Sequence, residues 1–181
     1  MNIRTYKSFF LPIFVILSAA VLFFCSAEPS GADAEPQGLK KTKGEEIAAF
    51  AVSISGGYST EDRTGPKSFD CSGFVYYVMN HFGADVPQRN TQTQLSWGEP
   101  VDFEALKDHN DVAGLKPGDL IFFDYEPDGA PNHVGLYIGD GKIRHCWNGG
   151  VCTTPLSGNF YKGDDRPLYS AVLSVRRASV S

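Results

Sequence analysis

Residues 69–82 have the sequence FDCSGFVYYVMNHF, and Gly83 follows them. Apolar side chains recur in this stretch every three or four residues, which is the spacing of one face of a helix. They are Phe74, Val75, Val78, Met79 and Phe82. Because glycine is the usual residue just beyond a helix, the pattern predicts a buried helix over Phe69–Phe82 that ends at Gly83.

Cys71 lies near the start of this predicted helix, and its thiol allows two interpretations. The unpaired backbone N–H groups and the dipole of a helix start favour the thiolate, which is the nucleophilic form of cysteine. A lone cysteine is also commonly a small buried hydrophobic residue. The stretch alone therefore leaves Cys71 as either a nucleophile or a core residue.

The hydrophobic pattern on both sides of this helix predicts further elements. Upstream, apolar residues at helical spacing predict a helix over Lys43–Ile54, and residues 56–68 are expected to form a loop. Downstream, short apolar runs between turn residues predict several strands. These are Leu120–Phe123, His133–Ile138, Lys142–Trp147, Val151–Thr154 and Leu168–Val175. Helices followed by an antiparallel meander indicate an α+β domain.

A turn at Gly139–Gly141 brings two histidines together in the predicted hairpin. A three-residue loop places His145 opposite Gly135 and His133 opposite Trp147. Both histidines then lie on one face of the sheet, within roughly 8 Å of each other, with open space at Gly135 between them. A two-residue loop would place them on opposite faces, so this prediction depends on the register.

Two histidines on one sheet face and a cysteine at a helix start are the components of a thiol triad. In a triad of this kind one histidine acts as the base, and a further polar group fixes its tautomer and orientation. The hairpin therefore favours Cys71 as a nucleophile, with His133 and His145 as its partners. His81 and His109 have no such context, and we expect both to be structural.

The other two cysteines of the domain allow a disulfide. A loop at Asn148–Gly150 would place Cys146 opposite Cys152, close to disulfide spacing, and would leave Cys71 as a free thiol. Two reduced cysteines are the alternative. A zinc site is disfavoured because closely spaced ligand pairs are absent and His145 and Cys146 face opposite ways, so we expect no metal.

The first 27 residues have the pattern of an export signal. Arg4 and Lys7 precede the apolar run Phe9–Phe24, and small residues follow it from Cys25 onwards. A basic start, an apolar run and a small-residue exit predict a secretory signal peptide. Lipidation at Cys25 and retention as an uncleaved membrane anchor are the two alternatives. In all three cases we expect the rest of the chain to be exported.

The remaining residues are predicted to form one domain. Residues 28–41 are small and polar and indicate a linker, which leaves residues 42–181 for the domain. The contents of 42% hydrophobic and 20% charged residues exclude collagen-like, coiled-coil and largely disordered proteins. The net charge of −5, without runs of lysine or arginine, argues against nucleic acid as a partner.

Four blocks of sequence occur in a distinctive order. They are FDCSGFV at 69–75, VPQRNT at 86–91 with Gln94, LKPGDLIFF at 115–123, and HVGLYIGDG at 133–141 with His145. In type and order these blocks resemble the NlpC/p60 family of cell-wall cysteine peptidases, and the resemblance covers roughly residues 45–157. One departure is Ser59-Thr60-Glu61, which replaces the Trp-Gly-Gly usual in the family.

The resemblance implies a fold and a set of catalytic roles. The fold would be the papain-like NlpC type, with N-terminal helices and the nucleophile helix packed on a small antiparallel sheet. The catalytic residues would be Cys71 as nucleophile, His133 as base and His145 as the orienting third residue. No metal and no cofactor are implied.

The resemblance also implies a substrate. Family members cleave peptidoglycan stem peptides, most often between D-glutamate and the diamino acid. Substrate contacts would come from Tyr58, Asp70 and Ser72. The chain is therefore expected to be an exported, monomeric endopeptidase. A catalytically silent wall-binding module and an amidase or acyltransferase acting on a non-wall substrate are the alternatives.

Overall fold

The computed structural model describes residues 41–88, 90–159 and 165–180. The predicted signal segment, residues 1–27, and all of the predicted linker except Lys41 lie outside the described residues. Within the described ranges, no helix has both the length and the apolar character needed to cross a membrane.

The described residues form helices and an antiparallel sheet, which confirms the α+β class. The helices are α1 (Lys43–Ser53), α2 (Cys71–His81), α3 (Thr91–Gln94) and α4 (Glu104–His109). The strands are β1 (Gly57–Tyr58), β2 (Ser68–Phe69), β3 (Glu99–Val101), β4 (Leu120–Phe123), β5 (His133–Gly139), β6 (Lys142–Trp147), β7 (Gly150–Pro155) and β8 (Val172–Arg177).

The main sheet has six strands in the order β3-β8-β4-β5-β6-β7, and all of its pairs are antiparallel. The predicted meander is therefore confirmed only for β4 to β7, because β8 lies between β3 and β4. The predicted strand Leu168–Val175 begins late, since Leu168–Ala171 form a 3-10 turn before β8. Strands β1 and β2 form a separate parallel pair inside the predicted loop.

Strand β4 is buried on both faces of the sheet, because its alternate side chains reach two different cores. Leu120 and Phe122 pack in the core under α1 and α2, together with Phe74 of α2. Ile121 and Phe123 point to the opposite core, which includes residues of α4 and the 3-10 turn. All four β4 side chains are fully buried, and burial of each contributes about 2 kcal/mol to stability.

Helix α2 begins two residues later than its hydrophobic pattern predicts. Phe69 pairs with Tyr58 in the parallel β1–β2 ladder, so its backbone is extended. Asp70 is the N-cap, and its Oδ1 accepts a 2.6 Å hydrogen bond from the backbone N–H of Gly73. The cap makes Cys71 the first helical residue.

Helix α1 is held at both ends. At its start, Thr42 and Glu45 form a reciprocal capping box. At its end, Arg144 of β6 donates hydrogen bonds to the backbone carbonyls of Ile54 at 2.6 Å and Ala51 at 3.3 Å. The charged side chain satisfies carbonyls that a helix end leaves without partners, and so joins α1 to the sheet.

The β6–β7 register is not the one that would allow a disulfide, and it favours the alternative of two reduced cysteines. The connecting loop has two residues, because Gly150, with a φ of 103°, already pairs with Trp147. Cys152 therefore lies opposite His145, and Cys146 lies opposite Val151. All three cysteines in the described residues are free thiols. Compared with the pairing that a three-residue loop would give, the register differs by one residue. This difference places Cys146 and Cys152 on opposite faces of the sheet.

The fold predicts that replacing one helical glycine by alanine lowers the free energy of unfolding, where helix propensity alone would raise it. A Cβ at Gly73 would overlap the backbone carbonyl of Arg63. Helix propensity alone would make Gly73→Ala stabilising by about 1 kcal/mol. We expect instead a loss of about 2 kcal/mol or more in the free energy of unfolding, measured by urea denaturation, because backbone atoms cannot move aside cheaply.

Gly57→Ala is the matched control, because a Cβ at Gly57 would have no neighbour within 4 Å. Its free energy of unfolding should change by no more than about 0.5 kcal/mol. An equal effect of the two substitutions would show that the close approach of Gly73 to the backbone of Arg63 does not affect stability.

Candidate functional site

The nucleophile candidate lies where α2 meets β5. Cys71 is partly exposed, and the backbone N–H groups of Val134 and Ser72 hydrogen-bond to its sulfur and favour its thiolate. Burial acts more strongly in the other direction and, aided by the charge of Asp70, raises the pKa of Cys71 to about 11. The neutral thiol is therefore favoured at pH 7, although the helix position alone predicts a thiolate.

A buried glutamine fixes the start of α2. The Gln94 side chain is fully buried, and its Nε2 donates hydrogen bonds to the carbonyls of Ser72 at 2.9 Å and Pro87 at 2.8 Å. Ser72 immediately follows Cys71 in the first turn of the helix. Gln94 thus holds the backbone beside the thiol without contacting the sulfur itself.

The two histidines of the predicted hairpin form a direct hydrogen bond. His133 Nε2 lies 2.8 Å from His145 Nδ1, and the ring centroids are 5.0 Å apart. The pairs Leu136–Arg144 and Tyr137–Ile143 have the register that the sequence predicts. The prediction that both histidines share one face is confirmed.

The turn between the two strands differs in detail from the predicted one. Its loop has two residues, Asp140 and Gly141, both with positive φ, and the register shifts between Tyr137 and Gly139. This bulge offsets the shorter loop and keeps the two histidines on one face. The expected space at Gly135 is already filled, since a Cβ there would lie 2.8 Å from Ile143 Cδ1.

Both imidazoles are buried and favour their neutral forms. His133 is fully buried, and burial, with a smaller contribution from His145, holds its pKa well below the usual value. Burial likewise lowers the pKa of His145 to about 4, with a smaller contribution from the charge of Arg144. A neutral imidazole has a nitrogen lone pair that can accept a proton, but a lowered pKa also makes each ring a weaker base than a free histidine.

Three aromatic rings enclose His133, and the sequence predicted the position of only one of them. Its centroid lies 4.8 Å from that of Trp147 in an edge-to-face arrangement, and 6.0 Å from those of Phe123 and Tyr125. The predicted hairpin register did place Trp147 opposite His133. Nothing in the sequence marked Tyr125, which lies beyond the end of β4. These rings remove water from the base and account for the depressed pKa of His133.

The proposed substrate residues form a network with an arginine. Asp70 Oδ1 accepts hydrogen bonds from Gly73 N and from Ser72 Oγ at 3.2 Å, and Asp70 Oδ2 lies 2.6 Å from Arg63 Nε. Arg63 Nη2 also donates to Ser72 Oγ at 2.6 Å. Arg63 was not predicted because it lies in a loop with no regular pattern.

Tyr58, the third of these residues, lies at the surface. Its side chain is 40% exposed, although it is a large aromatic residue. Burial of the hydroxyl, followed by the charges of Cys71 and Asp70, raises the pKa of Tyr58. The ring therefore lies within electrostatic range of the thiol, where it is available to a ligand.

Two further candidate groups do not belong to the Cys71–His133–His145 set. Cys146 is fully buried, its Sγ lies 3.2 Å from the carbonyl oxygen of Phe69, and burial raises its pKa to about 12. His81 stacks on Phe50 at 3.9 Å between ring centroids. Among residues 41–88, 90–159 and 165–180, no group of three or more His, Cys, Asp or Glu side chains could hold a metal ion.

Comparison with known proteins identifies relatives of the domain. The model of the NlpC/P60 family matches residues 56–166. A gamma-D-glutamyl-L-lysine dipeptidyl-peptidase of Bacillus subtilis is 40% identical over 79 residues, which are 42% of this chain and 23% of that protein. The chain thus spans less than a quarter of this relative's length.

Solved structures support the same assignment. An NlpC/P60 family protein from Bacillus cereus is 26% identical, with a TM-score of 0.60 over 76% of this chain and 41% of that one. The NlpC/p60 domain of the peptidoglycan hydrolase SagA is 28% identical, with a TM-score of 0.50 over 63% of this chain and 90% of that one. The expected papain-like fold is confirmed, and the chain belongs to the NlpC/P60 family.

Proposed function

We propose that this protein is an exported cysteine endopeptidase that hydrolyses peptidoglycan stem peptides at the bond between D-glutamate and the diamino acid. The observation that carries the proposal is the 2.8 Å hydrogen bond between His133 and His145. The neighbour of His133 on β5, Val134, donates its backbone N–H to the sulfur of Cys71 at the start of α2. The bond preference is supported by the name of the Bacillus subtilis relative, and the polymer by that of SagA.

The proposed chemistry starts from neutral groups. As the Cys71 sulfur attacks the scissile carbonyl carbon, its proton passes to Nδ1 of His133, whose Nε2 hydrogen is held by His145. The backbone N–H of Cys71 is proposed to donate to the carbonyl oxygen as negative charge develops on it. Low pKa values of the two histidines oppose a resting ion pair, so proton transfer accompanies attack.

The remaining steps return the enzyme to its starting state. His133 donates its Nδ1 proton to the departing amine of the diamino acid, which leaves an acyl group on the sulfur. A water molecule then attacks this thioester while His133 takes one of its protons. Collapse of the second tetrahedral intermediate returns that proton to the sulfur and releases the product as a carboxylic acid, which then loses its remaining proton to solvent.

Substrate binding is proposed for Tyr58, Asp70 and Ser72, on the amino side of the scissile bond. The exposed ring of Tyr58 offers an apolar contact, and the carboxylate of Asp70 suits an N–H group or an ammonium group. Arg63 already shares this carboxylate at 2.6 Å. It partly neutralises Asp70, so an uncharged peptide N–H fits here as well as a free amino terminus does.

The first test uses muropeptides. Incubation of the purified protein with muropeptides, followed by mass spectrometry, should show cleavage between D-glutamate and the diamino acid. Cys71→Ala should lower the rate at least about 1,000-fold, because the covalent pathway is lost. The matched control is Cys146→Ala, which removes a thiol in the core and should leave the specific activity of folded protein within about threefold.

Other outcomes of this digest would overturn the proposal. Full activity of Cys71→Ala would exclude the nucleophile. Binding of muropeptides by the wild-type protein without turnover would indicate a wall-binding module. Transfer of an acyl group to an amine or lipid acceptor, in place of hydrolysis, would indicate an acyltransferase.

A second test concerns the resting protonation state. A pKa of about 11 means that the thiolate fraction of Cys71 rises about tenfold per pH unit below that value. The rate of Cys71 alkylation by iodoacetamide should therefore rise about tenfold per unit between pH 6 and 9. Cys71→Ala supplies the background from the other thiols. A rate independent of pH across this range would instead demonstrate a resting ion pair.

A further inference from the structure

Strand β7 presents two side chains to the far nitrogen of His145. Cys152 lies directly opposite His145 in the β6–β7 ladder, and Thr154 lies two residues further along, on the same face. Thr154 Oγ1 is 2.9 Å from His145 Nε2, and Cys152 Sγ is 3.3 Å from it. His145 thus has hydrogen-bonding partners at both ring nitrogens, since Nδ1 contacts His133.

The positions of the ring hydrogens on His133 and His145 are linked. His133 uses Nε2 to contact His145, so the ring nitrogen that can take a proton from Cys71 is Nδ1. For Nδ1 to accept, the hydrogen of neutral His133 must lie on Nε2 and point to His145 Nδ1. His145 Nδ1 must then be an acceptor, and the hydrogen of His145 must lie on its own Nε2.

That hydrogen needs an acceptor, because His145 is only 2% exposed. The hydroxyl oxygen of Thr154 has two lone pairs, whereas a thiol sulfur is a weak acceptor. Burial raises the pKa of Cys152, and a hydrogen bond from Thr154 to its sulfur opposes this rise. When the hydroxyl hydrogen points to Cys152, a lone pair of Thr154 Oγ1 faces His145.

We propose that Thr154 is a positioning residue whose Oγ1 accepts the Nε2 hydrogen of His145. This hydrogen bond keeps both imidazoles in the Nε2-protonated tautomer, which leaves His133 Nδ1 able to accept a proton. Thr154 acts through His145 and does not touch the reacting atoms. The effect on turnover rests on the proposed hydrolysis, but the tautomers of the free protein do not depend on any substrate.

The test replaces Thr154 by two residues of similar size. Thr154→Val keeps the branched shape but removes the acceptor, and Thr154→Ser keeps the hydroxyl. We expect Thr154→Val to lower kcat for muropeptide hydrolysis about 10- to 100-fold with KM within about twofold, as for other residues that orient an active-site histidine. Thr154→Ser should restore activity to within about threefold of wild type.

Thr153→Val is the matched control, because Thr153 is the exposed neighbour whose hydroxyl contacts Arg144 at 3.0 Å and not His145. Its kcat should stay within about twofold of wild type. Urea denaturation of every variant separates a loss of folded protein from a loss of turnover. An equal loss of kcat in Thr153→Val and Thr154→Val would overturn the assignment.

Nitrogen-15 NMR of the histidine rings supplies a readout that needs no substrate. In the wild-type protein at pH 7, both His133 and His145 should carry hydrogen on Nε2. Thr154→Val should shift part of the population to the Nδ1-protonated tautomer, and Thr154→Ser should restore it. If Nδ1 carries the hydrogen in the wild type, or if Thr154→Val changes neither tautomer nor kcat, the proposal is wrong.

Together, the activity and NMR measurements also distinguish a failure of this proposal from a failure of the proposed function. If the wild-type protein does not cleave muropeptides but Thr154→Val still shifts the tautomers, the positioning role stands and the substrate assignment fails. If cleavage occurs and only the double variant Thr154→Val with Cys152→Ala loses activity and the tautomer, the acceptor is Cys152 and the assignment to Thr154 is overturned.

Discussion

The hydrogen bond from the backbone of Gly73 to the carboxylate of Asp70 is the constraint on which the site depends. It ends the extended segment at Phe69 and begins α2 at Cys71, so the thiol occupies the first helical position. The opposite oxygen of the same carboxylate holds Arg63. One side chain thus sets the position of the sulfur, the path of the preceding loop and the charge around the thiol.

Burial sets the protonation state of all three members of the candidate triad. It raises the pKa of Cys71 and lowers those of His133 and His145, so the charged form of each group is disfavoured. A site of neutral groups pays no desolvation cost for charge while it is empty. In the proposed mechanism, charge would therefore arise only when a bound carbonyl takes part in the reaction.

The limits of sequence-based prediction follow from local geometry. The β5–β6 register was predictable because the glycines of the turn mark where the hairpin reverses. The loop is one residue shorter than predicted, but the bulge between Tyr137 and Gly139 keeps the predicted pairing of the strands. The β6–β7 register was not predictable, because Asn148-Gly149-Gly150 is compatible with loops of two or three residues. This difference of one residue in loop length decides whether Cys152 lies opposite Cys146 or opposite His145.

Other features depend on the three-dimensional path of the chain, which the local pattern does not encode. Arg63 reaches Asp70 from an irregular loop, and the rings around His133 come from β4, the loop after it and β6. The periodicity of Phe69–Phe82 predicted α2 well, but its start is set by the Asp70 cap and by the pairing of Phe69 with Tyr58, which the periodicity does not encode. The position of β8 between β3 and β4 gave no local signal at all.

The placement of β8 also has a consequence for the order of folding. The hairpin of β5 and β6, which carries both histidines, pairs residues close in sequence and can form early. Strand β4 has β5 as one neighbour, but its other edge stays unpaired until residues 172–177 arrive. The sheet behind the site is therefore completed late, by contacts distant in sequence. A chain stopped before β8 would expose the most apolar strand of the domain as an open edge.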